Sequence, residues 1–192
     1  MTLASRAFLR EFLREFTKEE KRTNLEKIWY QSKKWTAIML GTGKTREKGD
    51  YGLIGRIGQK FGYEIQSEWL RIDQVWYYLL NEPESTEPPL WRTDVAIEHE
   101  NNPENIEYTI QKMGEISVSL KVGIFYPEKD EEAHILNRIS EIISKQVTSY
   151  PGCTYLIIFG FLDEEKGIYW HAYEIDYKGN IIELKNSNKS MI

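Results

Sequence analysis

Cysteine occurs once in the 192 residues, at Cys153. That excludes an internal disulfide and any zinc cage built from several thiolates. Histidine occurs three times, at His99, His134 and His171, and no two of them stand at metal-ligand spacing. No apolar run approaches the roughly 20 residues that cross a bilayer, so a membrane is not expected as a partner. The apolar stripe near the N-terminus is broken by Arg6, Arg10, Glu11, Arg14 and Glu15, which is not the pattern of a secretory leader. A cytoplasmic protein is the expectation. Internal repeats are also lacking, which sets aside solenoid and propeller architectures.

What is present fits a globular chain: 41% hydrophobic and 29% charged residues, enough for one core and too apolar for a disordered segment. The net charge of -5 conceals an asymmetry. Residues 1–60 hold 14 Lys/Arg against 7 Asp/Glu, whereas residues 61–192 hold 11 against 23. A basic first third beside a carboxylate-rich remainder points to a surface for an anionic partner next to an acidic region.

Along the chain, residues 3–16 predict an amphipathic helix with Phe8, Leu9, Phe12, Leu13 and Phe16 on one stripe. Thr17 with Glu20, and Thr23 with Glu26, have the spacing of a capping box, so a second helix is expected to start near one of them and run through Leu25, Ile28 and Trp29. Ala37-Ile38-Met39-Leu40 reads as a short strand. Gly41-Thr42-Gly43-Lys44-Thr45 follows it but is too short for a phosphate-binding loop, because the glycine required five residues before Gly43 is Ile38. Lys33, Lys34, Lys44, Arg46 and Lys48 are better read as contacts to a phosphate backbone, without sequence readout. A helix over 49–61 precedes two antiparallel strands in 63–79 that meet near 67–69. Proline-rich residues 81–90 form a loop, and helices at 104–115 and 128–147 flank a strand at 117–126. An apolar strand at 154–161 precedes a hairpin at 168–184.

Two strands carry acids that packing does not explain. Asp73 sits in the middle of Leu70–Tyr78, the strongest strand signal in the chain, where a buried charge is costly unless paired or metal-bound. Glu98 and Glu100 end the next strand, on one side of it, with His99 pointing the other way as a buried histidine. Two carboxylates about 4 Å apart repel by roughly 4 kcal/mol at an effective dielectric near 20, so such acids splay into water, share a proton or hold a cation. Neighbouring strands lie about 5 Å apart, within reach of one shared ion. Carboxylate oxygens suit Mg2+ or Mn2+. Tyr77, Tyr78 and Trp91 are candidates to line a cleft.

The order helix, strand, Asp strand, loop, Glu-x-Glu strand, helix, strand, over residues 50–126, resembles the PD-(D/E)xK nuclease superfamily. The resemblance implies an α/β fold of restriction-endonuclease type: a mixed central sheet flanked by helices, with an N-terminal helical extension. Residues 1–48 would form the basic helical region packed on the core, 49–185 the nuclease-like core, and 186–192 a polar tail. Asp73 and Glu98 then stand at the metal-binding acids, and Glu100, at the position usually held by lysine, would accept a proton from the attacking water or ligate a second metal ion. Lys112 on the following helix or Lys121 on the next strand would bring a replacement ammonium. Glu64 or Glu68 would serve for the glutamate that the family often carries on its early helix. The implied activity is Mg2+-dependent (or Mn2+-dependent) hydrolysis of nucleic-acid phosphodiester bonds, with DNA the expected substrate and a homodimer a family-level expectation. The alternative is a catalytically inactive protein of this fold that binds nucleic acid or a protein partner.

Overall fold

In the computed structural model, residues 3–81, 90–146 and 150–184 are described. The 82–89 part of the expected proline-rich loop, the last residue of the helix expected at 128–147, and the expected tail lie outside the described residues. Seven strands form one mixed sheet in chain order: β1 (Glu64–Trp69), β2 (Ile72–Leu79), β3 (Trp91–Glu100), β4 (Leu120–Phe125), β5 (Thr154–Asp163), β6 (Gly167–Asp176) and β7 (Ile181–Glu183). β1, β2 and β3 form an antiparallel meander, and β5, β6 and β7 another. Between them, β3, β4 and β5 run parallel. Parallel neighbours need a crossover, supplied by α5 (Ile106–Gly114) and α6 (Glu132–Lys145).

The helices cover both faces. On one, Val95, Ile97, Val122, Ile124, Leu156 and Ile158 meet the apolar sides of α1 (Ser5–Arg22), α2 (Ser32–Leu40) and α4 (Gly52–Lys60). On the other, Ala96, Tyr155, Ile157 and Phe159 pack against Ile106, Ile110 and Met113 of α5 and Leu136, Ile139 and Ile143 of α6. Alternation along each strand therefore feeds two cores, and β4 is buried along its whole length. Phe8, Phe12 and Phe16 of α1 are all buried, with Phe12 and Phe16 edge-on to Trp170 of β6 at 4.9 and 5.0 Å. Burying each such ring contributes about 1.5–3 kcal/mol, which fastens α1 to the sheet. No helix among the described residues is long and apolar enough to cross a membrane.

The first 50 residues differ from the pattern read in the sequence. Helix α1 continues through Thr17 because that hydroxyl donates back to the Leu13 carbonyl at 2.9 Å instead of capping a new helix. The chain turns extended at Thr23, and Leu25–Trp29 carries only a short 3-10 turn, Glu26–Ile28. Ala37–Leu40 is the end of α2 rather than a strand, since Trp35 and Met39, four apart, both point into the core. Gly41 and Gly52 then let α2 and α4 approach backbone to backbone. Both have positive φ, and a Cβ on Gly52 would lie 2.4 Å from the Gly41 nitrogen. Between them, Thr42 and Thr45 form a reciprocal capping box on the one-turn helix α3 (Gly43–Arg46). Lys44 thus sits after helix α2, not after a strand, a second reason against a phosphate-binding loop.

The β1–β2 hairpin closes with Trp69 paired to Ile72, so Leu70 and Arg71 alone make the turn, with φ of 50° and 68°. The geometry matches the primed turns favoured in two-residue hairpins, but glycine or asparagine usually fills them. Positive φ on other residues costs about 1–3 kcal/mol each.

Glu15, buried on α1, receives ion pairs from Lys18 and from Lys60 of α4, while Arg56 of α4 pairs with Glu19. Burial raises the Glu15 pKa, but the two ammonium groups outweigh it and hold the carboxyl down to about 2. A folded pKa below the unfolded one stabilises the protein above the ordinary glutamate range, and the benefit is lost as pH falls towards 2. Glu15→Gln is therefore expected to lower the denaturation midpoint at pH 7, with the gap to wild type closing between pH 5 and pH 2. Urea unfolding of both proteins across that range measures it; a gap independent of pH would assign Glu15 a packing role only.

Candidate functional site

The ladder between β2 and β3 runs from Leu79 opposite Trp91 to Gln74 opposite Ile97. One step further along the same register, Asp73 faces Glu98. Here side chains replace the backbone ladder: the Asp73 N–H donates to Glu98 Oε1 at 3.3 Å, and the His99 N–H donates to Asp73 Oδ2 at 2.8 Å. Each carboxylate is thus held by an amide of the opposite strand. Gln74, next in line, fixes β2 to the helical layer by donating to the Tyr51 carbonyl at 2.8 Å.

Lys112, on the α5 face turned to the hairpin, places Nζ 2.8 Å from Glu98 Oε2 and 2.9 Å from the Arg71 carbonyl. One ammonium therefore joins α5, the hairpin tip and the acid pair. Burial raises the pKa of Glu98, the Asp73 charge raises it further, and Lys112 offsets only part, leaving it at about 7. Asp73 is raised by burial as well, with the His99 N–H, Lys112 and Arg46 pulling down and Glu100 pushing up. Glu98 is buried and Asp73 half-buried, with Lys112 paired to Glu98 and Arg46 near Asp73.

Glu100 belongs to the same electrostatic neighbourhood, but its carboxylate is turned to the start of α5. It accepts from the Asn102 N–H at 2.7 Å and the Asn105 amide at 3.4 Å. Among the described residues, no three His, Cys, Asp or Glu side chains form a group placed to hold a metal ion. The fit to a hard cation rests on two carboxylates, Asp73 and Glu98. Mg2+ commonly takes one or two carboxylates and keeps several waters, so the donor chemistry suits it.

Other candidates fall elsewhere. Lys121 lies beside Ala96 in the β3–β4 register, whereas Gly123 lies beside Glu98. Its buried ammonium donates to the Tyr155 hydroxyl at 3.0 Å and stands over that ring, so it serves the α5/α6 core and not the acids. Tyr78 stacks on Tyr63 at 4.2 Å and donates to the Phe61 carbonyl, and Tyr77 meets Trp91 at 6.1 Å. Trp91 is seven residues before Glu98, about 20 Å away along the strand, so these rings do not line the acid site. His99 projects to the opposite face and hydrogen-bonds Tyr126 through Nε2 at 2.7 Å. Burial lowers its pKa to about 3, so it is neutral.

Lys33, Lys34, Lys44 and Lys48 are exposed on α2 and around α3, and Asn101, just past β3, donates to Thr36 of α2 at 2.7 Å. Arg46 pairs with Glu68 at 2.9 Å and is close enough to Asp73 to stabilise its charge. Sequence spacing carried no signal for that last link, because it joins residues 27 positions apart through the turn after α2. A groove of about 390 Å³ adjoins Lys112, lined by Leu70, Arg71, Tyr108, Gln111 and Glu115. A second cleft, about 320 Å³, opens at the carboxyl ends of β3, β4 and β5 among Trp29, Trp35, Asn101, Tyr126 and Tyr169. No protein-family model and no curated protein matches this chain.

If Lys112 is what restrains the Glu98 carboxyl, Lys112→Met should push its titration above about 7. Carbon-detected NMR of the glutamate carboxyls reports it; an unchanged or lower pKa would show that the ion pair contributes nothing to the site.

Proposed function

We propose that the protein is a Mg2+-dependent endonuclease-like hydrolase of nucleic-acid phosphodiester bonds, with DNA as substrate. The observation that carries this reading is the Asp73–Glu98 pair across β2 and β3, with the Lys112 ammonium 2.8 Å from Glu98. The surrounding order α4, β1, β2, β3, α5, β4 supports the resemblance to the PD-(D/E)xK superfamily and to its restriction-endonuclease-like fold. In this reading Lys112 supplies from α5 the ammonium that Glu100 displaces from β3.

Asp73 and Glu98 would hold the cation. When bound, Mg2+ (or Mn2+) lowers the pKa of a water and stabilises charge on the scissile phosphate. Lys112, anchored by the Arg71 carbonyl, faces the charge that grows on the phosphate as the bond breaks. Glu100, turned from Asn102 and Asn105 towards the pair, would accept the proton from the attacking water. Lys33, Lys34, Lys44 and Lys48 hold the phosphate backbone, with Arg46 supporting the acid site from α3. Cutting both strands of a duplex would call for a homodimer.

A second reading has two observations in its favour: an ammonium already sits on Glu98, and among the described residues no third carboxylate completes a cage. The same fold could then bind nucleic acid or a protein partner without cleaving.

The two separate in one experiment. Supercoiled plasmid should be nicked or linearised with millimolar Mg2+ and left intact with EDTA. Asp73→Asn, Glu98→Gln and Lys112→Met should each lower the rate by a factor of about 100 or more, the scale of losing several kcal/mol of charge stabilisation. The melting temperatures of Asp73→Asn and Glu98→Gln should stay level or rise, since each removes a like-charge repulsion, whereas Lys112→Met should melt lower because it leaves Glu98 without its ion pair. DNA bound but uncut at every metal concentration would establish the inactive reading.

A further inference from the structure

Among the described residues, every non-glycine with positive φ lies at one place: Glu68, Leu70 and Arg71, at 59°, 50° and 68°. An Asn-Gly pair would relieve the turn, so the chain keeps a strained tip where an easier one exists. That tip borders the acid site. The Arg71 carbonyl accepts from Lys112 at 2.9 Å, and Glu68 holds Arg46 at 2.9 Å. Leu70 is 66% exposed, an apolar side chain at the apex of a two-residue turn with no core to join. Across the groove stands Tyr108 of α5, 56% exposed, and Arg71 and Lys112 face a single acid there, Glu115.

We infer that the Leu70–Arg71 tip is a finger that engages the DNA strand beside the scissile phosphate. Leu70 wedges against a base step, Tyr108 stacks on the base it displaces, and the Arg71 guanidinium pairs with the flanking phosphate. Apolar wedges between base steps and aromatic platforms for unstacked bases are general ways of holding a distorted strand. The left-handed backbone projects Leu70 outward while aiming the Arg71 carbonyl back at Lys112, so one turn serves grip and ammonium placement. This inference rests on the nuclease reading of the acid site.

The test compares wild type with Leu70→Asn/Arg71→Gly, and with Leu70→Ser, which keeps the cation. Melting temperature, anisotropy of a fluorescein-labelled DNA duplex and Mg2+-dependent cleavage are measured on each. The double variant should melt several degrees higher, bind DNA at least tenfold more weakly and show a matching rise in KM. Its kcat should change only a few-fold, because the backbone carbonyl at position 71 remains to hold Lys112. Leu70→Ser should show part of the KM effect. Wild-type cleavage with unchanged binding and KM in both variants overturns the finger and leaves the nuclease standing. A loss confined to kcat also overturns it, reducing the tip to a support for Lys112. A wild type that neither binds nor cuts DNA overturns the nuclease reading and the finger together.

Discussion

The structure turns on one unfavourable contact: two carboxylates facing each other where β2 and β3 stop pairing through their backbones. Burial removes much of the water that would screen the pair, so the Asp73 charge raises the proton affinity of Glu98, while burial and the nearby Glu100 raise that of Asp73. They are held there because the Asp73 and His99 amides, which regular pairing would send to carbonyls, donate to the carboxylates instead. A strand pair that ends this way leaves its acids fixed in position yet short of positive charge. Lys112 supplies one charge, and in the proposed nuclease a Mg2+ ion would supply the second.

Fixing that contact needs rigid surroundings on three sides. From the helical layer, Gln74 reaches the Tyr51 carbonyl and Asn101 reaches Thr36. From the opposite layer, α5 delivers Lys112 at the site end of a helix whose Ile106, Ile110 and Met113 are locked in the core. Along the sheet, the parallel β3–β4–β5 unit carries apolar residues on both faces. The costs are local and the compensation is spread over two cores, which is how a marginally stable domain sustains a strained corner.

How much of this the sequence disclosed depended on the range of the signal. Period-2 alternation in β3 and β4 and the 3.6 period of α5 and α6 are local, and they located those elements and the side on which Glu98 lies. The direction of His99 followed from the same alternation. Thr17 misled because a threonine hydroxyl can bond forward as a cap or back to the carbonyl four residues earlier, and only the packed neighbours of α1 decide between them. Ala37–Leu40 is too short a run for its period to distinguish strand from helix. Lys112 and Lys121 were equivalent candidates by sequence, nine positions apart. Their separation depended on register: Gly123, not Lys121, stands beside Glu98, while α5 crosses over the hairpin tip.

Register also explains why the opposite faces of β3 do different chemistry within three residues. Glu98 and Glu100 lie towards the charged corner. His99, between them, enters the aromatic layer with Tyr126, and burial holds it neutral. A charged imidazole there would place a cation one strand thickness from the acid pair and compete with Lys112 for it. Keeping His99 uncharged leaves the balance of charge at Asp73 and Glu98 to Lys112 and Arg46. The apolar setting of His99 is therefore a condition for the acid site, not merely a packing detail on the far side of the strand.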